Sequence, residues 1–154
     1  MTGPSWGVRE LDIRYKPLRL PMPVRSEISG PHEAARLAAA VLADVTVEKV
    51  IALHLTAKHT LIGVHVVSVG TLTAALVHPR DVFKAAFLAN AAGLILCHNH
   101  PSADPTPSLD DQAVVSRLFQ AGELLGVELL DAVIVSDPCE GSVYYSFKEA
   151  GTLR

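Results

Sequence analysis

Residues 93–111, GLILCHNHPSADPTPSLDD, combine a short apolar run, a polar cluster and the start of a helix. The run GLILC (93–97) predicts a buried strand, because a short apolar segment bounded by turn residues is typical of one. Three prolines then exclude regular structure until Ser108, where SLDDQAVVSRLFQAGELLG begins a helix. We therefore expect the polar cluster to lie between two rigid elements.

The segments on either side contain capping, proline and glycine residues at positions that predict a series of helices and strands. A Ser-Gly-Pro start precedes an alanine-rich amphipathic run, and KVIALHL and LIGVHVVSV, joined by the polar piece TAKHT, predict an antiparallel hairpin that Gly70 ends. HPRDVFKAAFLANAAG has a proline in its first turn and a closing glycine, which favours a helix. The predicted elements are helices at about 31–44, 78–93 and 108–126, and strands at 49–55, 61–69, 93–97, 127–136 and 142–147.

This order, α-β-β-α-β-α-β-β, predicts an α/β fold, or α+β in stricter usage, in which helices flank a mixed sheet. The chain of 154 residues, 49% of them hydrophobic, is long enough to bury a core and close to the commonest size of one domain. Residues 1–28, interrupted by prolines and glycines, are interpreted as an N-terminal extended arm with room for one edge strand. Residues 29–154 are interpreted as the domain.

Charge and cysteine content narrow the classes of function. The formal charge of −3 provides no global positive field for DNA phosphates, although a local patch stays open. No stretch approaches the roughly 18 apolar residues of a membrane span, and the N-terminus does not resemble a signal peptide. Cys97, in an apolar run, and Cys139, in a polar loop, do not form a disulfide framework. We expect a soluble, cytoplasmic protein that does not contact membranes.

His98 and His100 stand two residues apart at the end of the predicted strand, so both imidazoles are expected on the same side of the backbone. Asp111 lies in the first turn of the following helix, and a tight loop would bring its carboxylate back toward them. Two nitrogens and one oxygen leave the fourth tetrahedral position of a zinc ion open, which is typical of catalytic zinc. Cys97 is expected to point to the opposite face, into the core. Zinc suits this donor set, with iron and manganese left open.

Each of these features also has an interpretation without chemistry. Ser108 and Asp111, at the N-cap and N3 positions, form a capping-box-like pair that would stabilise this helix in any protein. An isolated His-x-His pair is weak support, because histidines at strand ends often serve only as hydrogen-bonded groups. The combination with the proline-rich spacing favours a metal site. For His54 and His65, within the predicted hairpin, structural roles are the default.

The stretch HNHPSADPTPSLDD resembles the JAMM motif of the JAB/MPN metalloproteases, which is histidine-x-histidine, seven residues, serine, two residues and aspartate. His98, His100, Ser108 and Asp111 match that motif in full. The wider stretches VSVGTLTAALVHPRDVFKAAFLANAAGLILCHNHPS and LLDAVIVS resemble the RadC branch of the superfamily, and the likeness covers roughly residues 29–154. The resemblance implies a cytidine-deaminase-like mixed sheet and a zinc ion held by the two histidines and the aspartate.

The resemblance also implies roles for two polar residues. Glu48, in VEKVIALHL, corresponds to the glutamate that takes a proton from the attacking water and gives it to the leaving amine. A carboxylate suits this role when partial burial raises its pKa toward neutrality. Ser108 corresponds to the serine that donates a hydrogen bond to the oxyanion. Without the resemblance, Glu48 would be interpreted as a solvated charge at a strand edge.

The chain departs from the RadC pattern in a few places. Ala103 replaces the glycine that usually follows the His-Asn-His-Pro-Ser run, and this is where loop geometry or substrate access would differ. Ala132 stands where a histidine usually follows the late Leu-Asp pair. The helix-hairpin-helix region of longer RadC proteins has no counterpart in these residues, which we take as an argument against inherited DNA functions.

Three functions are consistent with this sequence. The first is a zinc metallopeptidase or isopeptidase that acts on a peptide or a ubiquitin-like protein, bound as an extended strand along a sheet edge. The second is a DNA-repair or DNA-processing accessory protein, in which an activated water would hydrolyse phosphodiesters. The third is an interaction module with a silent site. Homo-oligomerisation is left open.

Overall fold

The helices and strands follow one another in the predicted order. The computed structural model of the protein describes residues 14–19, 27–43, 46–70, 77–136 and 142–154. Within these residues the order α-β-β-α-β-α-β-β is confirmed. The elements are α1 (Pro31–Leu42), β1 (Lys49–Leu55), β2 (Leu61–Val69), α2 (Pro79–Leu88), β3 (Gly93–Asn99), α3 (Leu109–Leu125), β4 (Glu128–Val135) and β5 (Tyr144–Ser146).

The described strands form a mixed sheet in the order β2-β1-β3-β4-β5. β3 runs parallel to β4, whereas β1 pairs antiparallel with β2 and β3, and β4 with β5. The predicted hairpin of β1 and β2 is therefore confirmed. β3 lies at the centre of the sheet and is buried along its whole length, as expected for an apolar strand covered on both faces. The chain adopts an α/β fold in which helices flank a mixed sheet.

Strand alternation sorts the side chains onto two cores. Val50 of β1 and Leu96 of β3 pack with residues of α2 and α3, on what we call the α3 face. Ile51 of β1 and Cys97 of β3 pack with residues of α1, on what we call the α1 face. The prediction that Cys97 points into the core is confirmed, and His98, one residue later, belongs to the α3 face.

α3 is fixed at both ends. Ser108 accepts a hydrogen bond from the Asp111 N–H and the Asp111 carboxylate accepts one from the Ser108 N–H, which completes a capping box. Gly126 ends the helix with a φ of 72°, a left-handed conformation that glycine adopts without strain. At Gly122, an added Cβ would lie 2.6 Å from the Val127 carbonyl oxygen, so glycine lets α3 approach the start of β4.

Several boundaries differ from the predicted ones. α2 ends at Leu88 rather than near Gly93, because Asn90 adopts a φ of 50° and turns the chain toward β3. β3 continues through Asn99, two residues further than predicted, so His98 is part of the ladder. The last strand is shorter than the segment 142–147. The chain turns from Phe147 onward, where the Phe147 carbonyl accepts from the Thr152 N–H, although the Phe147 N–H still donates to the Ala132 carbonyl oxygen of β4.

The predicted N-terminal arm is described only in part. Residues 14–19 contain neither helix nor strand, and Glu27 forms an isolated bridge with Thr60 of the hairpin. The remainder of residues 1–26, together with segment 137–141, which contains Cys139 and was predicted to be a turn, lies outside the described residues. The boundary between residues 28 and 29 stays a prediction. Among the described helices, none combines the length and apolar character needed to cross a bilayer.

Candidate metal centre

The two histidines meet at the carboxyl end of β3. His98 pairs with Val50 of β1 and with Ile134 of β4, and its side chain is buried on the α3 face. The His100 N–H donates to the Val135 carbonyl oxygen at 3.0 Å, which continues the ladder for one residue beyond the strand. The two Nε2 atoms are 3.1 Å apart. The structure thus places both imidazoles on the same side of the backbone, as their spacing predicts.

Asp111 divides its two carboxylate oxygens between two tasks. Oδ2 accepts hydrogen bonds of 2.7 Å from both the N–H and the hydroxyl of Ser108. Oδ1 lies 3.1 Å from His98 Nε2, yet it is buried and accepts no well-aligned hydrogen bond from any of the described residues. Asp111 therefore caps the helix through Oδ2 and still contacts His98 through Oδ1.

Electrostatics favour the ionised form of this carboxylate. Burial alone would raise the pKa of the Asp111 carboxyl, but the adjacent imidazoles of His100 and His98 and the hydroxyl of Ser108 hold it well below its usual range. The adjacent Asp111 carboxylate in turn raises the pKa of His100, against the opposing effect of burial. A buried anion beside two imidazoles attracts a cation, whether that cation is a proton or a metal ion.

Glu48 approaches from the strand beside β3. It immediately precedes β1, and its Oε1 is 4.0 Å from His98 Nε2. Its side chain is 19% exposed, so the carboxylate is partly open to solvent. Ligand atoms of Glu48, His98, His100 and Asp111 all lie within 4.8 Å of one another.

The loop after β3 fixes the tautomer of His100. Nδ1 of His100 is 2.8 Å from the Asp104 carbonyl oxygen, which can only accept, so Nδ1 carries the proton and the Nε2 lone pair faces the cluster. The Asp104 side chain accepts a hydrogen bond from the Thr106 N–H at 2.9 Å, and this bond holds the loop. Such a partner on the second nitrogen is the usual companion of a metal-binding histidine.

The donor set fits a divalent cation. The cluster offers imidazole nitrogens and carboxylate oxygens at one point, which suits zinc and other first-row metals. Within the part of the chain that the structure describes, the buried Oδ1 of Asp111 has no hydrogen-bond partner. Cys97 does not contribute, because it is fully buried on the α1 face, where burial raises the pKa of its thiol. The cluster could therefore hold a metal ion without that cysteine.

The proposed oxyanion donor is engaged in the helix cap. The Ser108 hydroxyl donates to Asp111 Oδ2 and accepts from the Asp111 N–H at 3.1 Å. The structure brings Ser108 into contact with Asp111. Donation to a substrate would require its proton to turn away from the Asp111 oxygen.

The sequence profile described as the RadC-like JAB domain matches residues 28–152. The chain belongs to this family. A UPF0758 protein of Shouchella clausii is 44% identical over 128 residues, which are 83% of this chain and 54% of that protein. The UPF0758 protein YsxA of Bacillus subtilis is 42% identical over 126 residues, 82% of this chain and 53% of YsxA. The chain thus spans about half the length of these curated relatives, whose names state no activity.

The two positions that depart from the RadC pattern can now be placed in this RadC-like domain. Ala103 has a φ of 61°, so the backbone keeps a left-handed conformation although the residue is not glycine. Ala132 is buried in the core of the α3 face and pairs with Leu96, away from the metal cluster. Neither substitution removes a member of that cluster.

The sequence did not predict two polar groups beside this RadC-like site, the backbone carbonyl of Asp104 and the side chain of Asn99. The carbonyl of Asp104 carries no signal in a sequence, because any residue provides one. The only indication of a role for Asn99 in the sequence is its position between the two histidines. Its side chain makes two hydrogen bonds to the segment around Glu48, which no spacing rule connects to residue 99.

Proposed function

We propose that this protein is a zinc-dependent metallohydrolase that cleaves an amide bond, as a metallopeptidase or isopeptidase. The observation that carries the proposal is the convergence of Glu48, His98, His100 and Asp111 within 4.8 Å at the end of β3. Two imidazoles and two carboxylates exceed what a helix cap needs. Membership of the RadC-like JAB domain family supports hydrolytic chemistry.

The proposed ligands are His98, His100 and Asp111. His98 and His100 would bind through Nε2, which face each other, and Asp111 through Oδ1, which the cap leaves free. A zinc ion held there would supply a Lewis acid that activates water and polarises a substrate carbonyl. Asp104 keeps His100 in the required tautomer through its carbonyl oxygen.

Glu48 and Ser108 have the remaining proposed roles. The Glu48 carboxylate, partly exposed beside His98, would accept the proton of the attacking water and deliver it to the leaving amine. The Ser108 hydroxyl would turn from Asp111 and donate to the oxyanion, which acts on charge that develops only in the transition state. Ser108 is the N-cap of α3, the helix that carries Asp111. Glu48 immediately precedes β1, which pairs with the histidine-bearing strand β3.

The proposed substrate is a peptide or a ubiquitin-like protein joined through an amide. β2 lies at one edge of the sheet, beside the strand that follows Glu48, and an extended peptide pairs naturally with such an edge. We place this activity in the cytoplasm, in agreement with the free buried thiol of Cys97.

Metal analysis of the purified protein is the first test. Near-stoichiometric zinc is expected in the natural chain and its loss in a His98→Ala, His100→Ala variant, with thermal unfolding shifted upward by zinc only in the natural chain. A His59→Asn variant serves as the matched control, because His59 is exposed and lies between β1 and β2, at the opposite end of β1 from Glu48. Equal zinc content in all three proteins would contradict the proposed site.

Replacement of Glu48 tests the catalytic step. Glu48→Gln keeps the size of the side chain but removes its capacity to accept a proton, so zinc content should persist while hydrolysis of a cleavable peptide or ubiquitin-like conjugate falls by about 10²–10⁴-fold. Turnover is measured on a panel of such substrates with the zinc-loaded protein. An undiminished rate would remove Glu48 from the mechanism, and a panel left uncut by the natural protein would count against amide hydrolysis.

A further inference from the structure

Asn99 connects the strand that carries the histidines to the segment that carries Glu48. Its buried side chain lies on the α1 face of β3, opposite His98. Its Oδ1 accepts a hydrogen bond of 2.8 Å from the Lys49 N–H, and its Nδ2 donates one of 3.1 Å to the Val47 carbonyl oxygen. These two backbone groups stand on either side of Glu48. One side chain therefore holds both neighbours of the proposed acid/base residue.

Glu48 lies where the ladder between β1 and β3 runs out. The pairing of these strands reaches Val50 and His98, and β1 itself starts at Lys49. The amide of Asn99 then takes the place of a peptide group, with one acceptor and one donor facing the preceding residues. From the other side, the Gly70 N–H donates to the Glu48 carbonyl oxygen at 2.8 Å. The backbone of Glu48 is thus held from both sides.

A buried amide side chain at this position would lower the stability of the fold unless its polar ends were hydrogen-bonded. The preceding β3 residues on the α1 face, Ile95 and Cys97, belong to an apolar core. A buried amide costs free energy when either of its polar ends lacks a partner, and both ends of Asn99 are bonded to the segment around Glu48. The hydrogen bonds of this residue therefore point to a task at Glu48.

We propose that Asn99 is a positioning residue that fixes the backbone on both sides of Glu48 and so sets the Glu48 carboxylate against His98. The inference rests on the proposed function of Glu48. A carboxylate that exchanges protons with water must be held within about 0.5 Å of its productive place, and a loosened backbone would spread it over a wider range. Asn99, which lies between the two histidines in sequence, thereby fixes the position of the Glu48 carboxylate relative to them.

Hydrogen exchange of the metal-free protein tests the clamp directly. In Asn99→Ala, the Lys49 amide loses its acceptor, and its exchange is expected to accelerate by about tenfold relative to the natural chain. Ser146→Ala is the matched control, because it removes a buried hydrogen bond to Asp131 without contact to Glu48. Unchanged exchange at Lys49, or equal acceleration in the control, overturns the proposal. Asn99→Ser is the second variant if the alanine variant does not fold, with the same expected result.

Cobalt binding tests the consequence for Glu48. Asn99 bonds to none of the proposed ligand side chains, so Asn99→Ala should bind cobalt with a dissociation constant within about threefold of the natural value. Its visible spectrum should change in the same way as that of Glu48→Gln, and the double variant should add nothing further. Ser146→Ala should keep the natural spectrum. Additive changes in the double variant, or a natural spectrum in Asn99→Ala, overturn the proposal.

The two experiments separate this inference from the proposed function. A natural chain that binds no cobalt removes the metallohydrolase, whereas the exchange rate of the Lys49 amide still decides whether Asn99 holds the segment. A chain that binds cobalt and shows normal Lys49 exchange in Asn99→Ala retains the proposed function and loses the positioning residue.

Discussion

Ala103 shows at the scale of a single residue how the loop after β3 is shaped. Its N–H donates to the His100 carbonyl oxygen at 3.1 Å, and its φ of 61° closes the turn that leads to Asp104. A left-handed conformation costs an L-residue about 1–2 kcal/mol, while glycine loses roughly 0.5–1 kcal/mol more entropy than alanine on folding. Ala103→Gly is therefore expected to raise the free energy of unfolding by about 0.5–1 kcal/mol, as measured by urea denaturation.

A bulkier side chain at the same position provides the comparison. Ala103→Val places a β-branched residue at a positive φ, where such residues are rare, and should lower the free energy of unfolding. Stability that follows the order glycine, alanine, valine supports a strained turn. A glycine variant less stable than the natural chain would show that Ala103 carries no strain.

The sequence reveals single residues when their partners are close along the chain. His98, His100, Ser108 and Asp111 lie within 14 residues of one another, and alternation and helix capping predict how they meet. Asn99 was missed because its partners lie 50 and 52 residues away. Asp131 was missed for a similar reason, since its buried carboxylate accepts hydrogen bonds from the Ser146 hydroxyl and the Lys148 N–H, which lie 15 and 17 residues away.

At the scale of elements, the hairpin of β1 and β2 places the buried side chain of His54 beside the half-buried side chain of His65. His54 is only 3% exposed, its ring stacks on that of His65 at 6.1 Å, and His54 Nε2 has no hydrogen-bond partner among the described residues. Burial, with a smaller effect of His65, lowers the pKa of His54 from 6.5 to about 4. Lys84 and Asp81 of α2 are the charged groups that act on His65. This pair therefore favours the neutral form.

The lowered pKa makes stability depend on pH in a defined direction. Above its unfolded value of 6.5, His54 is neutral in both states; as pH falls toward about 4, the unfolded chain takes up the proton first, so stability falls. From about pH 7 to about pH 5 the expected loss is on the order of 2 kcal/mol. Urea denaturation at several pH values measures it.

A variant without the titrating group isolates this contribution. His54→Gln should show a smaller loss of stability over the same pH range, whereas His59→Asn, at an exposed position, should follow the natural chain. Identical pH profiles in all three proteins would show that His54 does not control the acid sensitivity.

Elements were predicted best where local chemistry marks their ends. Ser108 and Gly126 bound α3 with a capping box and a left-handed glycine, and the prediction of 108–126 differs from the observed helix by one residue at each end. The end of α2 was wrong, because Asn90 takes a left-handed conformation that few residues other than glycine adopt. The order of strands in the sheet depends on pairings such as β3 with β4, which lie far apart in sequence and have no local signature.

At the scale of the whole molecule, the topology explains why the site forms at one end of β3. β3 is the central strand, and β1 runs antiparallel to it on one side. After the loop that follows β3, α3 packs over the α3 face of the sheet, to which His98 belongs. The start of β1, the end of β3 and the first turn of α3 therefore converge, which brings Glu48, His98 and Asp111 together. Residues that share an end of the sheet in this way need no proximity in sequence.

The overall charge leads to a prediction about nucleic acids. Binding that depends on phosphate contacts needs clustered cations, and it weakens steeply as salt rises because counterions are released. With a formal charge of −3, this chain is expected to leave a DNA duplex unshifted in a gel even at low salt, at protein concentrations up to about 100 µM. A shift that disappears as salt is raised would reveal a local basic patch and would favour the DNA-processing function for this domain. A duplex that stays unshifted would leave amide hydrolysis as the function to pursue, and any DNA binding by its longer relatives would then have to come from the half that this chain does not match.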